Sequence, residues 1–368
     1  MRPGGGDQAC RVFCYVTREN VMYISVIGPA LSGKTTLFQA LSGVESARGF
    51  SDGDAIISID VPDARVDEMT RIFKPKKTTY ARIELADTVA ISEGNIKDAT
   101  INAKTLQKMR SSDAFILTLN DFDGTEGTDL KRGFHDIIDE FILADMIQIE
   151  GRIERIKKQG GKKENTALQQ EIELLDRLLA HVGEGKALKT LELGPNDEKT
   201  VRGFRFLSQK PMMIAVNRPE GVVAEDEGLA EEIDGYPVLC VCATLEQELA
   251  LMPDDERAAF MEEFNVKESI RGRMIRLAFD TLGLISFLTV GDDECRAWPV
   301  RKGVTAQEAA GAIHTDLSTR FIRAEVVSYD DFMKHGGMNE CKKAGVWRLE
   351  GKTYIVQDGD IMSIRAGA

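Results

Sequence analysis

The sequence has no apolar run approaching the ~18 residues that a transmembrane helix needs, so a membrane partner is not expected. It is also poor in cysteine, histidine and tryptophan, with six, four and two of them. The cysteines form no disulfide framework: Cys10 and Cys14 lie near the N-terminus, Cys240 and Cys242 alternate in an apolar run, and Cys295 and Cys341 stand alone. None has zinc-ligand spacing, so the expectation is reduced, mostly buried thiols in a cytoplasmic protein. Basic charge is short as well. The 47 Lys and Arg residues against 60 Asp and Glu give a net charge of −13. That excludes a nucleic-acid coat and makes DNA an unexpected partner, while local basic patches stay open.

What is present is ordinary globular material: 368 residues, 43% hydrophobic and 29% charged. That length allows about two to three domains with cores of their own. Residues 1–20 read as a disordered N-terminal extension. They open with Pro3-Gly4-Gly5-Gly6, and their apolar piece (Val12, Phe13, Tyr15, Val16) is too short and polar for a signal peptide. Met22 is the alternative start.

The strongest chemical signal follows. Residues 21–27 are a β-rich run leading into Gly28-Pro29-Ala30-Leu31-Ser32-Gly33-Lys34-Thr35-Thr36, which matches G-x-x-x-x-G-K-[ST]. Leu37, Phe38, Ala40 and Leu41 then carry helical periodicity. Strand, glycine loop and helix are the context that phosphate binding requires. Glycines let backbone N–H groups approach the phosphates, and the helix N-terminus adds favourable partial charge. Lys34 can reach the β- and γ-phosphates as a catalytic cation, and the Thr35 hydroxyl can ligate Mg²⁺. Gly28, Leu31, Ser32, Gly33, Lys34, Thr35 and Thr36 are the nucleotide-binding candidates of this loop.

Further apolar runs at residues 56–61, 83–86, 114–119, 212–216 and 238–241 are mostly separated by helical stretches. They predict a doubly wound, mostly parallel α/β sheet. Asp87 ends the second of these runs, where a P-loop enzyme holds its magnesium shell; a strand-end cap is the competing reading. Residues 212–216 run into Asn217-Arg218-Pro219-Glu220. Many GTPases have N-K-x-D there, with the Asp carboxylate receiving guanine hydrogens. Glu220 is one methylene longer, which misplaces that grip and favours adenine, with GTP as the second candidate. Cys242, Ala243 and Thr244 offer a second wall around the base.

Between the strands lies an insertion of different character. Ile138, Ile142, Met146, Ile149, Ile153 and Ile156 alternate spacings of three and four, as do Leu168, Ile172, Leu175, Leu179 and Val182. Gly160-Gly161 breaks the two, which predicts an antiparallel helical hairpin. Its tip carries Arg152, Arg155, Lys157, Lys158, Lys162 and Lys163, either a solvated end or a contact with RNA phosphates. From about Gly283, short β-like runs (285–290, 322–327, 353–356) around a helical 306–313 predict a small α+β module. His314 and Trp298 read there as packing residues.

Residues 22–365 resemble the Obg-like ATPase (YchF-type) family of P-loop proteins. Besides the phosphate loop, the likeness rests on Pro62-Asp63-Ala64-Arg65-Val66-Asp67, Lys74-Pro75 and the N-x-x-E of Asn217 to Glu220. It is densest at Arg296-Ala297-Trp298, Ala309-Ala310-Gly311, Ile313-His314-Thr315-Asp316 and Phe321-Ile322-Arg323-Ala324. The resemblance implies a G-domain over residues 21–133 and 204–281, a coiled-coil arm over 134–203, and a β-grasp TGS domain over 282–368. It also implies ATP binding and hydrolysis with Mg²⁺, and association with the ribosome or ribosomal RNA.

The chain departs from that family at informative places. Leu31 stands where the family has an Asn that helps hold potassium. The D-x-A-G-L stretch appears as Asp87-Thr88-Val89-Ala90-Ile91, so Ala90 replaces a glycine whose N–H meets the γ-phosphate. Ile91 keeps a hydrophobic residue where standard GTPases place a water-orienting Gln. The following switch is reduced to Glu93-Gly94-Asn95-Ile96-Lys97-Asp98, and Ser51 is the one nearby hydroxyl nominated as a metal ligand in the first switch. Phosphate-binding parts are thus intact while γ-phosphate-sensing parts are eroded. The expectation is a translation-associated ATPase with slow intrinsic hydrolysis. The alternative is a non-hydrolysing, nucleotide-binding ribosome adaptor. A small-molecule kinase lacks support, since no basic lid is evident.

Overall fold

A computed structural model describes residues 22–42, 56–87, 90–91, 94, 96, 101, 103–122, 128–159, 166–219, 231–263 and 270–367. The N-terminal extension, Ser51, Glu220, the Gly160-Gly161 break, Lys162 and Lys163 lie outside the described residues, as do Thr88, Val89, Glu93, Asn95, Lys97 and Asp98.

The chain begins β1 (Met22–Ile27), α1 (Lys34–Ser42), β2 (Ile56–Asp60), α2 (Ala64–Phe73), β3 (Lys77–Thr79) and β4 (Arg82–Asp87). Next come α3 (Ala103–Ser111), β5 (Ala114–Asn120), α4 (Thr128–Gln159), α5 (Thr166–Gly183) and, after a 3-10 turn, α6 (Pro195–Arg202). The strands β6 (Met212–Asn217), β7 (Glu232–Ile233) and β8 (Tyr236–Val241) lead to α7 (Ala243–Leu251), α8 (Asp254–Glu263) and α9 (Ile270–Thr281). By contacts, Tyr23–Ile57 and Leu85–Arg271 form one compact unit, and Ser58–Glu84 with Gly272–Ala368 form a second.

A seven-stranded sheet has the order β2-β4-β1-β5-β6-β8-β7. β1, β5, β6 and β8 pair in parallel, and the short β7 runs antiparallel to β8. Their apolar runs are continuous because both faces are covered: every residue of β6 is buried, as is all of β5 except Asn120. β1 lies between β4 and β5, so the strand order reverses around it. That is where an open parallel sheet leaves a crevice at the carboxyl ends of its strands.

The inserted hairpin forms as its periodicity demands. α4 is 32 residues long and α5 is 18. Ile142, Ile149, Ile153 and Ile156 share one buried cluster with Leu174, Leu175, Leu178 and Val182. The Asp145 carboxylate fixes the root of α4. It accepts the Leu207 and Ser208 amides at 2.9 and 2.8 Å, the Ser208 hydroxyl at 2.8 Å and Arg110 at 3.2 Å.

The second unit continues with β9 (Leu284–Thr289), β10 (Glu294–Arg301), α10 (Ala306–Ile313), α11 (Thr315–Thr319) and β11 (Phe321–Ser328). It ends with α12 (Tyr329–His335), α13 (Met338–Ala344), β12 (Arg348–Glu350) and β13 (Asp360–Ala366). Its six-stranded sheet runs β12-β11-β13-β9-β10-β3, and Phe287, Trp298, Ala309, Ala324 and Val326 are among its buried core. β3 joins through a parallel pairing with β10, although residues 58–84 lie in sequence within the span read as G-domain. Arg65 explains the Pro62-Asp63-Ala64-Arg65 stretch: its guanidinium joins Asp63, the N-cap of α2, to Asp358 at 2.7–2.9 Å.

Two sequence readings here are corrected. Residues 353–356 form no strand beyond a single bridge from Ile355 to Thr305, because this stretch supports a helix start instead: the Tyr354 carbonyl accepts the Ala306 amide at 2.8 Å. His314 is an exposed helix cap, not a packing residue, and its Nδ1 accepts the Asp316 amide at 3.1 Å. Trp298 does pack, stacked on Phe287, with its indole N–H donated to Thr289 at 2.9 Å.

Candidate nucleotide site

The loop after β1 takes its shape from two glycines. Gly28 has φ +147°, and a Cβ there would lie 2.2 Å from the Thr118 carbonyl oxygen of β5. Gly33 has φ +89°, and a Cβ there would lie 2.2 Å from the Asn217 side-chain nitrogen. Each is a backbone conformation that side chains rarely adopt, pressed against another strand's end. The Leu37 amide donates to the Gly33 carbonyl at 2.8 Å, which opens α1, and a helix start of this kind turns its first amides towards an anion, while the Ser32 amide donates to the Pro29 carbonyl at 3.4 Å. Leu31 takes φ 62° without being glycine and is 90% exposed at the tip of the loop. Ser32 is buried, and its hydroxyl has no hydrogen-bond partner among the described residues.

Lys34 is buried, with Nζ donating to the Pro29 carbonyl at 2.6 Å inside its own loop. Burial pushes its ammonium below the ordinary lysine range, and the Asp87 charge opposes that shift. The exposed Thr35 donates its hydroxyl to Asp87 at 2.9 Å, so the first turn of α1 meets the end of β4. Two hard oxygen donors at that spacing fit neighbouring positions of an octahedral Mg²⁺ shell, whose bonds of about 2.0–2.1 Å put adjacent oxygens about 2.9 Å apart. Among the described residues, no group of three or more His, Cys, Asp or Glu could hold a metal by itself. A site of this kind completes its shell with phosphate oxygens and water. Thr36 is half-buried beside Thr35.

The other wall is organised by Asn217 at the end of β6. Its side-chain nitrogen donates to the Ser32 carbonyl at 3.2 Å, and its oxygen accepts the Ala243 amide at 3.0 Å. One buried side chain therefore ties the phosphate loop to the turn after β8. Cys242 in that turn is buried, with its sulfur 3.2 Å from the Thr244 hydroxyl. Arg218 donates to Asp121 at 2.9 Å, a pair the sequence did not single out.

Three backbone amides beyond β4 have fixed partners. The Ile91 amide donates to the Gly28 carbonyl at 2.9 Å, and the Ile91 side chain is fully buried in the core. Further on, the Gly94 and Ile96 amides donate to the two carboxylate oxygens of Glu140 on α4 at 2.7 and 2.6 Å. Sequence reasoning passed over Glu140. Its only local signal is a carboxylate one residue before Phe141 on the buried side of the helix, and its partners lie 46 and 44 residues away. The structure thus gathers Gly28, Leu31, Ser32, Gly33, Lys34, Thr35, Thr36, Asp87, Asn217, Cys242 and Ala243 in one unit. Ser51 and Glu220 lie outside the described residues.

Comparison with known proteins adds the following. Residues 284–367 match the family YchF-GTPase_C, described as a protein of unknown function. The chain is 35% identical over 358 residues to the ribosome-binding ATPase YchF of Bacillus subtilis (strain 168), covering 92% of this chain and 98% of that protein. It is 32% identical over 357 residues to the protein of the same name from Escherichia coli O157:H7, covering 92% and 97%. Among solved structures it is similar to the Schizosaccharomyces pombe YchF GTPase, with a TM-score of 0.78 and 23% identity over 95% of this chain and 99% of that one. That structure shares the mixed sheet, the helical insertion and the C-terminal β domain.

Proposed function

The chain belongs to the YchF, or Obg-like ATPase, family, and from that premise we propose that it is a magnesium-dependent ATP hydrolase acting as a ribosome-associated switch in the cytoplasm. The observation that carries the reading is the Thr35–Asp87 pair at 2.9 Å beside Lys34, on a loop whose two glycines admit no side chain. Loop amides and Lys34 hold the triphosphate, with Nζ leaving the Pro29 carbonyl for phosphate oxygens. Thr35 and Asp87 would hold Mg²⁺, directly or through water, and the metal would supply positive charge against the charge that develops in phosphoryl transfer.

Slow intrinsic turnover follows from what the switch segment presents. Ile91 has its side chain in the core, so that position supplies no group to orient a water. Phosphoryl transfer depends on positioning and charge stabilisation, so a lost positioning group lowers turnover more than affinity. ATP is preferred over GTP because Glu220 replaces the shorter guanine-binding Asp. The relatives' printed name, ribosome-binding ATPase, points the same way.

Isothermal titration with ATP, GTP and their diphosphates, with and without magnesium, tests ligand choice; far tighter GTP binding would overturn the Glu220 argument. Single-turnover hydrolysis, with Lys34→Ala as control, tests the reaction. Phosphate release that disappears in the variant supports the hydrolase. ATP that is bound and never cleaved identifies the protein as a non-hydrolysing ribosome adaptor instead.

A further inference from the structure

The Glu140 carboxylate lies in the root of the long arm helix, is 5% exposed, and spends both oxygens on backbone amides of the segment that follows the magnesium-side strand. A buried carboxylate is an expensive way to hold a loop that needs only to be covered, since a hydrophobic contact would do that without desolvating a charge. What a carboxylate does better is fix two donors at once in one geometry. Nearer β4, the Ile91 amide is fixed on the Gly28 carbonyl, at the phosphate loop itself. Ala90 sits between Asp87 and that bond, at the position where the YchF-type pattern has a glycine whose N–H meets the γ-phosphate.

We propose that Glu140 is a positioning residue for hydrolysis: by gripping the Gly94 and Ile96 amides it keeps the Ala90–Ile91 stretch in its place at the phosphate loop. The inference rests on the hydrolase reading above. Glu140 touches neither nucleotide nor metal and acts through the backbone it holds. Because α4 runs unbroken from Thr128 to Gln159, the anchor of the switch is also a fixed point of the arm. A carboxamide of the same size keeps one acceptor and turns an N–H₂ towards the second amide, so Glu140→Gln opens one of the two bonds while filling the same volume.

The test uses the full-length protein and pairs two variants, Glu140→Gln and Glu140→Asp. Single-turnover ATP hydrolysis in Glu140→Gln is expected to fall on the order of 10- to 100-fold, as for a reacting group displaced by about an ångström. The Kd for a fluorescent ATP analogue stays within about twofold, and Glu140→Asp, which keeps both acceptors on a shorter stem, recovers part of the rate. Hydrogen exchange at the 94 and 96 amides accelerates in Glu140→Gln with the rest of the sheet unchanged. Turnover equal to wild type, or affinity and turnover lost in parallel with a general loss of protection, overturns the proposal. If wild-type protein cleaves no ATP, the hydrolase reading fails and the grip is decided by amide exchange alone: unchanged exchange at 94 and 96 in Glu140→Gln overturns it.

Discussion

Asn217 and Ser32 are 185 residues apart in sequence, yet the Asn217 amide nitrogen donates to the Ser32 carbonyl at 3.2 Å. The same side chain accepts the Ala243 amide at 3.0 Å and fills the space over Gly33. The loop after β1 and the turn after β8 are tied together by one buried amide. Asn217→Ala leaves the Ala243 N–H and the Ser32 carbonyl without that partner, a loss of about 1–3 kcal/mol for each buried group left unsatisfied. We expect a lower melting temperature together with a weaker ATP Kd in titration calorimetry. Unchanged affinity would mean that the loop keeps its shape without Asn217.

Leu31 predicts the opposite sign. A left-handed backbone costs a non-glycine residue about 1–2 kcal/mol, less for Asn, and Leu31 at φ 62° has almost no burial to offset it. Leu31→Asn or Leu31→Gly should therefore raise the unfolding free energy of the nucleotide-free protein by about 0.5–1 kcal/mol. Denaturant titration checks this. A destabilised Leu31→Asn would show that the leucine makes an interaction its exposure does not reveal.

The contrast between these residues and Glu140 explains how far the sequence could be read. The strand, glycine turn and helix around Gly28 to Thr36 were legible because they form one contiguous motif, and Asn217 because it ends an apolar strand at a recognisable motif. The arm was legible from a three-and-four periodicity that packing in α4 and α5 requires. Glu140 was not, since a carboxylate on an amphipathic helix looks like any solvated residue until the 94 and 96 amides are brought to it. β3 shows the same limit. Lys77–Thr79 is three residues long and has no pattern of its own, and what makes it a strand is Glu294 to Arg296, more than two hundred residues later. The 353–356 stretch failed the other way: its β-rich composition was real, but its hydrogen bonds serve the start of α10.

Lys210 gives a pH prediction. It is buried at the root of the arm, where Nζ donates to the Arg110 carbonyl at 2.9 Å and to the Ser112 carbonyl. Burial brings its pKa from 10.5 down to about 7. Between those two values the unfolded chain binds a proton that the folded chain does not, so stability attributable to Lys210 rises with pH. The slope approaches about 1.4 kcal/mol per pH unit. Below about pH 7 both states carry the proton and the slope vanishes. Unfolding free energies of wild type and Lys210→Met, compared from pH 6 to 9, should diverge in favour of wild type above pH 7. Parallel curves would place the Lys210 charge in a better-solvated state than its burial indicates.

The basic cluster of the arm divides into two kinds of residue, and the division decides between a solvated tip and an RNA contact. Arg152 is already committed: it holds Glu171 on α5 through two bonds of 2.7 and 2.9 Å. Arg155 and Lys157 are exposed, and Lys158 pairs with the exposed Glu154 at 3.3 Å, a pairing of little energetic weight. Phosphate contacts made by Arg155 and Lys157 would add to the salt dependence of ribosome association at about 0.7–0.9 in log–log slope per contact. The double substitution Arg155→Glu with Lys157→Glu should therefore weaken sedimentation with ribosomes and flatten that slope, while leaving the melting temperature near wild type. Arg152→Ala should do the reverse, lowering the melting temperature by loosening α4 from α5 with little change in slope. If the double variant binds ribosomes as wild type does across the salt range, Arg155 and Lys157 are solvated residues and the contact lies elsewhere.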